Sequence, residues 1–449
     1  MLKRILIANR GEIALRVIRA CRSLGVETVA VFSEADADSP HLNEADDRVC
    51  IGPPKSAESY LNMEALVQAA EQHDCCAIHP GYGFLAENAL FAELCEQAKM
   101  SFIGPPASAI RAMGDKATAR ETMRAAGLPV IPGSRGTLPN MNAGLALARE
   151  SGFPVLLKAT AGGGGKGMRR VDREAEFAEK FRQASIEAAK AFNNPGLYLE
   201  KYIVDGRHIE FQVMADAFGE VVYLGERECS AQRRHQKLVE ESPSPVMTPD
   251  LRRELGEHLR VALRDAGYRN AGTVEFFRDR SGQIYFMEVN ARLQVEHPVT
   301  EMVTGHDLVA EQVRIAANEP LPYGQDEIAL EGHAIECRIN AEDPFEDFRP
   351  SPGVVTEFAP PKEIPGVKVR VDSHVQPGYR IPIYYDSLIA KLIVWGPTRD
   401  AAREGMIQAL EGFIVEGVKT TIPAHLKIMR NPDFAAGNYD TGFVERLLG

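Results

Sequence analysis

The 449-residue chain is too long for one hydrophobic core and should divide into about three units of ordinary size. Its 45% hydrophobic and 25% charged content is that of a soluble globular protein, and no apolar run of about 18 residues marks a membrane span. A net charge of −12 excludes a broad nucleic-acid surface, so any positive charge that acts must be local.

The chain opens MLKRILIANRGEIA, which reads as a strand and a helix rather than a signal peptide. Strand and helix then alternate through KRILIAN, GEIALRVIRACRSLG, ETVAVFS, CCAIHPG, a helix over about 87–99 and SFIGP. Ala14, Val17, Ile18, Cys21 and Leu24 share one helical face, with Glu12 in the first turn and Gly25 closing the end. Such alternation predicts a parallel sheet with ligands at its carboxyl edge. NRGE is not GxGxxG, so the layer should be Rossmann-like without a dinucleotide. The seven cysteines are scattered, with Cys75 and Cys76 adjacent and no CxxC spacing. That pattern predicts reduced thiols in a cytoplasmic protein, with neither a disulfide framework nor a zinc site.

A second unit begins near Lys116, which opens an amphipathic helix that Pro129 ends; IPGSRGTLPN then suits a hinge. Over 154–204 the pattern is strand, glycine loop, strand, helix (about 173–190) and strand. Within it, KATAGGGGKGMR is no P-loop: Met168 and Arg169 follow Gly167, and MRRV reads as a strand where a P-loop needs a helix. Two strands would instead form a hairpin flap whose glycine N–H groups and lysine close over phosphates, the plain alternative being a surface linker. The runs HIEFQVMAD, EVVYLGERE, GTVEFFRD and IYFMEVNARL predict an antiparallel sheet, with a helix over about 249–266. A β-rich third unit opens near Gly332.

Glu275 and Glu288 fall on neighbouring predicted strands, with Asn290 on the same face as Glu288. Oxygen donors so placed suit Mg2+ beside substrate phosphates, although two glutamates alone fit a solvated cross-strand pair. Arg292, Gln294 and Glu296 continue the alternation, which predicts one polar strand face from Glu288 to Glu296. Gln232 to Lys237, QRRHQK, reads by itself as a basic loop. Glu336, Arg338 and Asn340 alternate along one strand, where an arginine would meet an anion.

The strings HPGYGFLAEN, KATAGGGGKGMR, QRRHQK and EVNARLQVEHPVTE resemble the ATP-grasp superfamily and, within it, the biotin carboxylases; the similarity runs from IANRGEIA to EGVKTTI. The resemblance implies an α/β and α+β fold: a Rossmann-like domain over 1–114, an ATP-grasp domain over 115–330 with a mobile glycine-rich lid at about 131–204, and a β-rich domain over 331–449. It implies a ligase that carboxylates biotin from ATP and bicarbonate through carboxyphosphate, with Mg2+ or Mn2+, as in fatty acid biosynthesis. Lys116, Lys158 and Gly163, Gly164 and Gly165 match phosphate contacts. Glu200, Lys201 and Ile203 match the adenine segment, and His208, Gln232 and His235 match positions near base and ribose. Glu275, Glu288 and Asn290 match metal ligands. Lys237, Arg292, Gln294 and the backbone of Val295 match the bicarbonate site, Glu296 the general base, Arg338 the group on the biotin ureido oxygen, and Tyr82 a neighbour of biotin.

Three positions depart from relatives: Lys166 stands for arginine, Phe277 for leucine, and Ser23 lies near a dimer contact suggested by Arg19. No Ala/Val-Met-Lys-Met tetrapeptide occurs, so the biotin carboxyl carrier protein and the carboxyltransferase should be separate chains. A homodimer is expected, with no nucleic-acid or membrane partner. The competing readings are another ATP-grasp ligase joining an acyl phosphate to an amine, and a nucleotide-binding regulatory protein, which would need no bicarbonate base.

Overall fold

The computed structural model describes residues 2–160, 168–192 and 194–449. Its first strand, β1 (Arg4–Ile7), is a continuous apolar run because both of its faces are covered. Leu6 packs in one core with Val29, Val31 and Phe91, while Ile5 and Ile7 turn to the other with Val17, Ile18 and Leu308. Burying such a side chain contributes roughly 1.5–3 kcal/mol. With β2 (Glu27–Ser33), β3 (Asp47–Gly52), β4 (Ala77–His79) and β5 (Ser101–Phe102), it forms a parallel sheet in the order β3-β2-β1-β4-β5.

Helix α1 (Gly11–Ser23) buries Ala14, Val17, Ile18 and Cys21, as their spacing predicts, and Gly25 closes it at a φ of 69°. Glu12 in its first turn is buried rather than solvated. The helices α2 (Met63–Gln72), α3 (Ala89–Gln97) and α4 (Ala107–Gly114) complete this layer, and α5 (Lys116–Ala125) leads out of it.

The flap is a separate packing unit. The strands β6 (Val155–Ala159), β7 (Met168–Val171) and β8 (Leu197–Lys201) form an antiparallel sheet in the order β7-β6-β8. The helices α6 (Met141–Ser151) and α7 (Glu174–Phe192) accompany it, and its core of Val155, Leu157, Val171, Phe177 and Leu199 is distinct from the others. The predicted hairpin is thus present. Gly163, Gly164, Gly165 and Lys166, predicted to join its strands, lie outside the described residues.

One antiparallel sheet of eight strands carries most of the rest, beside two small two-stranded sheets near the end of the chain. It contains β9 (Arg207–Ala215), β10 (Val221–Arg233), β11 (Gln236–Ser242), β12 (Asn270–Arg278), β13 (Ile284–Asn290) and β14 (His333–Asn340), together with the strands Leu388–Gly396 and Lys368–Asp372. Their order is β13-β12-β9-β10-β11-β14, then Leu388–Gly396, then Lys368–Asp372. Helix α8 (Pro249–Asp265), capped by Thr248 and started by Pro249, lies on β10. Leu255, Leu259 and Leu263 of α8 join the core.

The predicted polar strand face from Glu288 to Glu296 requires correction. β13 stops at Asn290, residues 291–296 turn, and α9 (His297–Thr304) begins with Glu296 as its N-cap residue and Pro298 in its first turn. Proline supplies helical φ and lacks an N–H that a first turn would leave unpaired, so it starts a helix where alternation implied a strand. Helix α10 (Leu308–Ala316) follows and packs on α1.

Candidate active site

At the β12–β13 edge, Glu275 stands directly opposite Glu288. Glu275 Oε1 accepts from Asn290 Nδ2 at 2.8 Å, and Oε2 lies 3.1 Å from His208 Nε2. Burial disfavours ionisation of Glu275, but Lys237 and then His208 outweigh it and hold the carboxyl below the usual range. Glu288 is half-exposed, with Lys116 Nζ at 3.2 Å from the first turn of α5. Two facing carboxylates and an amide oxygen form a donor set of the kind a hard divalent cation takes.

Lys237 reaches this face through a bulge. Ala231 pairs with Val239 but Gln232 with Lys237, so β11 holds one extra residue. Leu238 and Val239 consequently both enter the core, and Lys237 emerges among the acids. Its Nζ lies 2.6 Å from Glu210 Oε2, 2.6 Å from Glu296 Oε1 and 3.5 Å from Glu275 Oε1. Burial disfavours the ammonium, yet Cys229, Glu210 and Glu296 more than restore it and raise its pKa well above the ordinary value.

Glu296 is fully buried between two cations. Its second oxygen accepts from Arg338 Nη2 at 2.9 Å, while Arg338 Nε donates to Glu240 Oε1 at 2.7 Å. Burial opposes ionisation of Glu296, but Lys237, Arg338 and Arg227 hold it well below the carboxylate range. Arg338 and Asn340 alternate on β14 as predicted, with Glu336 directly opposite Glu240 on β11.

The turn between β13 and α9 is clamped from several elements. Glu87 accepts from Ala291 N and from Arg292 Nε, both at 2.8 Å. Arg292 Nη1 donates to Gln294 Oε1 at 2.9 Å and Nη2 to Asn290 Oδ1 at 3.2 Å, while Gln294 Nε2 is 3.4 Å from Glu275 Oε1. Lys391 donates to the Val295 carbonyl at 3.0 Å.

On the flap side, Lys158 pairs with Glu200, which also accepts from Arg120 Nη1 at 2.7 Å. Lys201 Nζ donates to the carbonyl oxygens of Gly152 at 2.7 Å and Phe153 at 3.2 Å, and Ile203 follows β8. Gln232 is buried near the end of β10, whereas His235 occupies the exposed turn of the β10–β11 hairpin with a left-handed φ of 66°. Tyr82 donates its hydroxyl to Glu12, with its ring 5.9 Å from Lys391 Nζ.

Profiles described as "Biotin carboxylase, N-terminal domain", "Carbamoyl-phosphate synthase L chain, ATP binding domain" and "Biotin carboxylase C-terminal domain" match residues 1–110, 115–323 and 336–446. A biotin carboxylase of Nostoc sp. is 55% identical over 99% of this chain and 99% of its own. The chain belongs to the biotin carboxylase family. Biotin carboxylase 1 of Bacillus subtilis is 54% identical over 99% of this chain and 98% of its own. A crystal structure of the biotin carboxylase domain dimer of Hydrogenobacter thermophilus 2-oxoglutarate carboxylase, in complex with MgADP, ADP and bicarbonate, superposes with a TM-score of 0.93. That match has 49% identity and covers 99% of this chain and 98% of the other.

Seen as a member of the biotin carboxylase family, the chain shows groups at the site that its motifs did not single out. Arg227 is wholly buried and donates from Nε to Glu210 at 2.6 Å, from Nη1 to Gln212 at 2.7 Å and Thr300 at 3.0 Å, and from Nη2 to Thr273 at 3.2 Å. Glu210 and Glu240 belong with it. Their signal was a charged residue recurring inside strands otherwise too apolar for solvent, in HIEFQ, LGERE and LVEES.

Proposed function

We propose that the chain carboxylates biotin carried on a separate protein, with ATP and bicarbonate, as the first half-reaction of a biotin-dependent carboxylase. The observation that carries this reading is Glu296, a buried carboxylate between Lys237 and Arg338, within one ammonium's reach of the Glu275 and Glu288 pair.

Lys116, Lys158 and the glycines Gly163 to Gly165 are assigned to the phosphates. Glu200, Lys201, Ile203, His208, Gln232 and His235 are assigned to the nucleoside. Glu275, Glu288 and Asn290 would hold Mg2+ or Mn2+, whose positive charge would favour phosphoryl transfer. Arg292, Gln294, Lys237 and the Val295 backbone are assigned to bicarbonate. The division at 114 and 330, with 131–204 as lid, belongs to the same reading, and the separate core of the flap supports the lid.

Bicarbonate is a weak nucleophile, and Glu296 takes its proton as it attacks the γ-phosphorus, releasing ADP and forming carboxyphosphate. A carboxylate paired as tightly as Glu296 is a weak base, and it gains basicity when the bound anion draws Lys237 toward itself. Carboxyphosphate breaks into CO2 and phosphate, and the phosphate takes the biotin N1′ proton. Arg338 stabilises the ureido oxyanion, whose nitrogen then attacks CO2. Tyr82 lies beside that event, and lid closure excludes the water that would hydrolyse carboxyphosphate. A homodimer in the cytoplasm, served by a biotin carboxyl carrier protein and a carboxyltransferase on other chains, completes the reading.

The test is ADP release by the purified chain with MgATP, with and without bicarbonate and free biotin. Stimulation that requires both is expected. Turnover that ignores both, or responds to an amine and a carboxylic acid, would overturn the assignment in favour of another ATP-grasp ligase.

A further inference from the structure

The side chain of Lys391 is wholly buried in the strand Leu388–Gly396, directly opposite Arg338 on β14. Its Nζ makes three approaches. It donates to the Val295 carbonyl at 3.0 Å, lies 3.2 Å from Glu12 Oε2 in the first turn of α1, and lies 3.9 Å from Asp372 Oδ2. Asp372 is already bound twice by Arg370, so Glu12 is the carboxylate that leans on Lys391. Burial pushes the Glu12 carboxyl up, and Lys391 is the foremost influence holding it down. The same carboxylate accepts the Tyr82 hydroxyl.

A buried ammonium held by one carboxylate and one carbonyl has little freedom, because leaving either would strand an unpaired polar group in the interior. Fixing the Val295 carbonyl fixes the Val295–Glu296 peptide plane, from which the Glu296 side chain departs toward Lys237 and Arg338. The preceding carbonyl, of Gln294, accepts from His297 Nδ1 at 2.8 Å and so holds the other half of the turn. Burial keeps the His297 imidazole well below its ordinary pKa, so its bond is that of a neutral ring. Lys391 is therefore the one cation in contact with both the turn carrying Gln294 and Glu296 and the helix end carrying Glu12, among the described residues.

From this geometry we infer that Lys391 and Glu12 are a positioning pair: they set the Val295 turn for bicarbonate on one side and the Tyr82 hydroxyl for biotin on the other, without touching either substrate. The inference rests on the function proposed above. It ties the first unit of the chain to the bicarbonate turn through a strand near its far end.

The test compares wild type, Lys391→Met and the double variant Glu12→Gln with Lys391→Met, reading ADP release against bicarbonate and against ATP, with thermal melting alongside. The double variant removes both charges at similar volume, and its glutamine oxygen still accepts from Tyr82. Bicarbonate KM should rise about tenfold or more in both variants, while ATP KM stays within about twofold. An unchanged bicarbonate KM in a folded variant, or equal rises for both substrates, would overturn the inference. Loss of the fold in both variants would overturn it too, because the pair would then be structural support alone. Wild type that shows no bicarbonate dependence would instead sink the functional reading itself.

Discussion

Lys237 is the charge on which three buried carboxylates depend, since Glu210, Glu275 and Glu296 all lie within 3.5 Å of its Nζ. Replacing it with methionine should abolish bicarbonate-dependent ADP release and destabilise the chain by about 3–5 kcal/mol, the usual cost of breaking a buried ion pair. The deficit should depend on pH. In wild type Glu275 and Glu296 are held low, so their stabilisation is present at neutral pH and fades as pH falls toward their folded values. In the variant the crowded carboxylates would be pushed up, and protonation would relieve their repulsion. Urea unfolding at pH 7.5 and pH 5 should therefore show the gap narrowing at the lower pH; a gap that widens would contradict the arrangement. The string EVNARLQVEHPVTE singled out Glu288, Asn290, Arg292, Gln294 and Glu296, which the structure gathers around Glu275 and Lys237. The parts played by Glu12 and Lys391 could not be read, because a single charged residue in an apolar helix or strand acquires meaning only from distant neighbours, and Glu87, in the turn of HPGYGFLAEN, acquires its own only from Ala291 and Arg292.

Strand pairing decides which side chains face the site, and one extra residue in β11 is what brings Lys237 there. Deleting Leu238 should remove this extra residue and still leave Lys237 on the face opposite to Val239, so bicarbonate-dependent turnover should survive. Loss of turnover in a folded deletion variant would show that the bulge itself, and not only the face it leaves to Lys237, is required. Alternation in the sequence is silent about bulges, and in 291–296 it was misleading: polar residues at every second position mimicked a strand where tertiary clamps hold a turn. The flap was legible because its hydrophobic runs and glycine break are local. Its core is also its own, so Leu157→Ala should loosen the flap by about 2–5 kcal/mol, read as faster amide exchange in β6 to β8. Exchange in the β1–β5 sheet should not change, and an equal acceleration there would show the two units to be one cooperative block.

Across the whole molecule, neutral buried histidines set the acid limit. Burial depresses His41 and His425 to about 4 and His79 to about 3, with His41 and His79 in the N-terminal unit and His425 near the far end of the chain. Groups with lowered folded values take up protons more readily when unfolded, so their contribution is complete above about pH 6.5 and declines as pH falls toward 4. At pH 5 each should cost on the order of 2 kcal/mol relative to neutral pH. Chemical unfolding midpoints should drop between pH 7 and pH 5, and a flat profile would mean that these rings are not neutral and buried. Alternating strand and helix announced the parallel sheet, but nothing in the sequence announced that a strand after residue 330 pairs with β11 to make one sheet of eight. That continuity has a consequence in time. Arg338 and Lys391 are among the later parts of the chain to be synthesised, and without their strands Glu296 has one cation fewer and its turn lacks the clamp on the Val295 carbonyl. A growing chain on the ribosome can thus fold its nucleotide-binding half while remaining unable to spend ATP on bicarbonate, and competence arrives in one step when the seventh strand slides into place.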